Sequence, residues 1–180
     1  MIRNLWRAYV WRRLRIRVWE RRLQHQLAKI SPRFSPATPC TLRVAWGPFY
    51  GGSAIMNRKY SKAKIYVQIP YDRYVTEDEK YVMSRYSIPA RALPYFIFFH
   101  ECYHVLDGLT HLALENEGEG SVERHQAALE RAARMYKHYR ELPAEACADD
   151  FAYRHYAELR HRQKRPVKPT PTAPASSLFL

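Results

Sequence analysis

Cysteine is scarce in this chain, with three in 180 residues, at Cys40, Cys102 and Cys147. An odd number without framework spacing excludes a disulfide-stapled scaffold and favours free thiols in a reducing compartment. Long apolar runs are missing too. Nothing approaches the roughly 18 residues that span a bilayer. Arginines interrupt every apolar stretch near the N-terminus, so no secretory h-region is legible. These absences predict a cytoplasmic protein. Acid is also in short supply, with 17 Asp and Glu against 30 Lys and Arg. The imbalance is local: residues 1 to 33 carry ten basic side chains and a single acid, Glu20.

Aromatics are plentiful by contrast, with 14 Tyr, 7 Phe and 4 Trp. A chain of this length with that many rings can bury a core as one domain. Residues 1 to 30 read as a basic amphipathic helix, because Ile2, Tyr9, Ile16, Leu23 and Ile30 recur every seven positions. Residues 31 to 39 break it. Residues 41 to 46 alternate as a short strand, residues 47 to 52 suit a turn, and residues 64 to 69 form a clearer strand that Pro70 stops. Thr76 with Glu79 resembles a capping box opening a helix to about Tyr86. An apolar helix follows over residues 93 to 107, with Pro94 in its first turn and Gly108 as its stop. Further helices are predicted over 122 to 141, capped by Ser121, and from Pro143 to about His161. Residues 162 to 180 are rich in Pro, Thr, Ala and Ser, as a disordered tail would be. The expected organisation is a basic helix and linker (1–33), one α+β domain (34–161) and a tail. Within the domain, a small mixed or antiparallel sheet precedes the apolar helix and further helices.

The apolar helix carries His100-Glu101-Cys102-Tyr103-His104, the H-E-x-x-H pattern. On a helix the two imidazoles stand one turn apart on one face and can grip one metal ion. Glu101, about 100° around the axis, can reach a water at that ion. Three polar side chains on the most apolar helix of the chain would be costly without such a partner. A catalytic zinc takes three protein ligands and leaves one position open. Glu145 can supply the third from the segment Glu145-Ala146-Cys147-Ala148-Asp149. Asp149, one turn later, would then fix the tautomer of His100. As a plainer alternative, Glu145 is an acid favoured at a helix N-terminus. His111 stands one residue beyond the metzincin spacing, and His125 on the next predicted helix is another possible third ligand. Cys102 and Cys147 lie two residues from proposed ligands and read as small buried residues. Tyr153, His155 and Tyr156 are available as oxyanion stabilisers.

H-E-x-x-H followed by E-x-x-x-D resembles the gluzincin class of zinc metalloproteases. With a strand before the motif helix and E-A-x-A-D-x-F-A after it, residues 41 to 160 are most similar to the ImmA/IrrE-like peptidases. The resemblance implies a zincin-like domain that hydrolyses peptide bonds of a protein or peptide substrate. His100, His104 and Glu145 would hold Zn2+, Glu101 would be the general base, and Asp149 would support His100. It also suggests the strand at 65 to 69 as an edge on which extended substrate pairs, with an ordinary core strand as the equally weighted alternative. The separation between the two motifs is longer than in that family, and a Leu-Leu-Met-Pro-like run after the second is missing.

A different reading starts from the N-terminal helix. Arginines interleaved with Trp6, Trp11 and Trp19 suit an anionic membrane surface, nucleic acid or an acidic partner. The metal site would then be vestigial or structural. Simple packing of the Ile/Leu stripe on the domain is the bland explanation of the same helix.

Overall fold

A computed structural model describes residues 2–34, 38–57, 59, 61–72, 74–115 and 139–164, the backbone alone for residues 2–9, 109–115, 139 and 163–164. Among them the architecture is mixed α+β, with four α-helices and one three-stranded sheet. Helix α1 spans Ile2–Ile30. Strands β1 (Cys40–Gly47), β2 (Gly51–Met56) and β3 (Ala63–Pro70) follow. Then come α2 (Glu77–Tyr86), α3 (Leu93–Glu115) and α4 (Pro143–Lys164). No described helix is long and apolar enough to cross a membrane. The helix predicted over 122 to 141 falls outside the described residues, except that Tyr139–Glu141 form a 3-10 turn.

The sheet order is β1-β3-β2, with β1 parallel to β3 and β2 antiparallel to it. The chain therefore arches over the end of β3 between β1 and β2. Gln68 Nε2 holds that arch by donating to the Phe49 carbonyl at 2.9 Å. Gly47 leaves room for the Gln68 side chain, which a Cβ there would displace. This order decides between the two readings of the strand at 64 to 69: it is the middle strand, as the core-strand alternative had it, and β2 forms the edge on that side. One expectation is corrected. Residues 47 to 52 are only partly a turn, since Gly51 and Gly52 already belong to β2.

The capping box at Thr76 and Glu79 is present and opens α2, with the Thr76 N–H donating to Glu79 at 2.6 Å. Helix α3 runs through Gly108 rather than stopping there. A helical glycine costs only about 1 kcal/mol relative to alanine. Its apolar run packs inward: Leu93, Phe96, Phe98 and Phe99 are buried with Ile65, Val67 and Ile69 of β3. Each such side chain contributes about 1.5–3 kcal/mol by leaving water. The C-terminal half of α1 enters the same core through Leu23, Leu27 and Ile30.

A candidate metal centre between two helices

Helix α3 presents His100 and Glu101 as buried residues and His104 as a half-buried one, at the point where α4 crosses it. Helix α4 meets them with a face spaced at three and four residues: Glu145, Ala148, Asp149 and Ala152, all buried. The two alanines let the backbones approach, and the two acids between them reach the histidines.

Three donor side chains converge. His100 Nε2 lies 3.0 Å from His104 Nε2 and 3.1 Å from Glu145 Oε2. His104 Nε2 lies 3.6 Å from Glu145 Oε1. The edges of a tetrahedron around zinc, at bond lengths of 2.0–2.1 Å, are about 3.3 Å. The spacing therefore fits a single ion, and these three residues could hold one.

The protons point the same way. Asp149 Oδ1 stands 2.8 Å from His100 Nδ1 and accepts its N–H. In neutral His100 that leaves Nε2 a lone pair, and the atom facing it is a carboxylate oxygen. Two acceptors in contact in a buried site need a cation or a proton between them. His100 accordingly takes up a proton more readily than usual: burial lowers its pKa, but hydrogen bonds to Asp149 and Glu145 raise it further. His104 goes the other way, held down by burial and by His100, so its nitrogen stays available as a ligand.

Glu101 lies next to this cluster. Burial pushes its carboxyl up to about 7, against the pull of His100, with Glu145 raising it and Arg140 and the Ala54 N–H lowering it. Strand β2 leaves room for it. A Cβ at Gly52 would collide with the Glu101 carboxylate and with Ile97. A cleft of about 300 Å³ opens over His100, Glu101 and Glu145, walled by residues 49 to 52 of the arch and by Thr76 and Phe96. A larger cavity, about 1230 Å³, lies elsewhere, between α1, the end of α2 and α4, and touches none of the ligand cluster. Chemistry locates the site here, where volume alone does not.

Sequence reasoning missed Arg140. It sits in the 3-10 turn before α4 and lines the cleft. Its Nη1 donates to Asp149 Oδ1 at 2.8 Å, so one carboxylate oxygen serves both the guanidinium and His100. Other sequence candidates fall away from the cleft. His155 packs on Phe151 and Phe99, Tyr153 on Tyr86, and Tyr156 lines the larger cavity. Cys102 is buried as expected, but Cys147 is exposed, because it points away from the face that carries Glu145 and Asp149. His111 lies in the last turns of α3, where only the backbone is described, and His125 lies outside the described residues.

In comparisons with known proteins, the chain matches no family model, no curated protein and no solved structure.

Proposed function

We propose that the protein is a zinc-dependent metallopeptidase with a zincin-like fold, similar to the ImmA/IrrE-like peptidases, cleaving peptide bonds of a protein substrate. One observation carries the proposal: donor atoms of His100, His104 and Glu145 meet across two helices beside the buried carboxylate of Glu101, at a cleft lined by His100, Glu101 and Glu145. The antiparallel outer strand β2 alongside α3 supports the zincin-like reading.

His100, His104 and Glu145 would hold the ion. When bound, zinc supplies Lewis acidity, lowering the pKa of a water to about 7 and polarising a carbonyl. The chain's own residues do the rest. Glu101 accepts a proton from water and returns it to the departing amine. Asp149 keeps the His100 tautomer whose Nε2 faces the cluster. Residues 51 and 52 of β2 bring a sheet edge to the cleft, where an extended peptide backbone would pair.

The test separates binding from chemistry. Purified protein should hold one zinc per chain and cleave an unfolded protein substrate. Glu101→Gln should keep the zinc while losing at least about a hundredfold in rate. If the Gln variant cleaves as fast as the parent, Glu101 is not the base and the mechanism fails.

A further inference from the structure

Helix α1 has two apolar faces, and among the described residues only one of them is buried. Leu23, Leu27 and Ile30 are buried in the core. Further up, Trp46 Nε1 donates to the Arg12 carbonyl at 3.2 Å, and the Arg12 guanidinium lies over the Tyr71 ring. These contacts fix the rotation of the helix. On the opposite side, Trp11, Leu14 and Val18 are 71%, 46% and 45% exposed. Their spacing of three and four places them on one stripe. Scattered apolar residues at a surface are ordinary, but an aligned row is not.

Arginines border this row. At about 100° per residue, Arg17 and Arg21 fall along one side and Arg15 and Arg22 along the other, all exposed. An apolar strip between two cationic margins fits a bilayer surface, where rings and aliphatic chains sink to the acyl boundary and guanidiniums meet anionic headgroups. A nucleic acid would use the arginines and leave Leu14 and Val18 without a partner. We infer that α1 docks the protein on anionic lipid surfaces through Trp11, Leu14 and Val18, with the flanking arginines supplying charge complementarity. The inference is independent of the metal centre.

The probe is a vesicle sedimentation assay on the full chain. It compares phosphatidylcholine vesicles containing about a third phosphatidylserine with pure phosphatidylcholine vesicles, at about 0.1 M salt. Binding should be at least about tenfold tighter to the anionic vesicles. The triple variant Trp11→Gln, Leu14→Gln, Val18→Gln keeps every charge and should lose about tenfold or more. Arg17→Gln with Arg21→Gln should also weaken binding and flatten its salt dependence. Should the triple variant fail to fold by circular dichroism, Trp11→Gln alone should still give a several-fold loss. Equal binding by parent and triple variant would overturn the inference. So would tighter binding to duplex DNA that is indifferent to the glutamines, which would assign the face to nucleic acid.

Discussion

Asp149 Oδ1 accepts the Nδ1–H of His100 at 2.8 Å, and both side chains are buried. The same oxygen accepts from Arg140 at 2.8 Å. That carboxylate is only 1% exposed, and one of its oxygens is shared by two donors. Asp149→Ala should therefore act twice. Zinc affinity, read by chelator competition, should fall about 10- to 100-fold as His100 loses its orienting partner. Stability against denaturant should drop by about 1–3 kcal/mol, because the buried hydrogen bonds from His100 and Arg140 to this carboxylate are lost. Unchanged zinc affinity would show that the Asp149 contact is incidental to the site.

Gly52→Ala is a test of space. The added methyl cannot coexist with Glu101 and Ile97 where they now stand. Displacing a reacting group by about 1 Å can cost on the order of a hundredfold in rate. The expected outcome is a protein that binds zinc normally yet cleaves about a hundred times more slowly. A fully active Gly52→Ala enzyme would mean that Glu101 acts from another position.

How much of this was readable in the residues differs from element to element. The motif helix was legible because residues 93 to 99 are too apolar to lie anywhere but inside, and the capping box because its two residues act locally. Glu145 and Asp149 were legible as one face because helical spacing alone pairs them. Strand β2 was not, because Gly51-Gly52-Ser53 has neither alternation nor β-propensity; its glycine serves Glu101, a partner distant in sequence. The alternation of Ile65, Val67 and Ile69 marks a buried face but not which strands lie on either side, so edge and middle of the sheet stayed equally open. Arg140 gave no signal, since its role depends on a tertiary contact with Asp149.

Helix α1 is bound into the domain by its second half. Leu23 is wholly buried, and Leu23→Ala should destabilise the protein by about 2–5 kcal/mol. Chemical denaturation followed by circular dichroism reads this directly. A loss below about 0.5 kcal/mol would place the helix outside the cooperative unit.

Acid should loosen the end of that helix. Arg33 Nη1 donates to His155 Nε2 at 3.2 Å. Burial, despite Glu158 and with help from Arg33, holds His155 below its ordinary value. A base whose folded pKa is lowered binds more protons unfolded. Its contribution is thus intact above about 6.5 and is lost as pH falls through the lower folded value. Melting temperature should decline as pH falls below about 6.5, and His155→Gln should decline less steeply. Parallel curves for the two proteins would remove His155 from the acid response.

X-ray absorption at the zinc edge of the zinc-loaded protein tests the central claim most directly. Two imidazole nitrogens and carboxylate oxygen at about 2.0–2.2 Å, with one zinc per chain, is the expected result. Sulfur scattering at about 2.3 Å, or no stoichiometric zinc, would contradict a centre built from His100, His104 and Glu145.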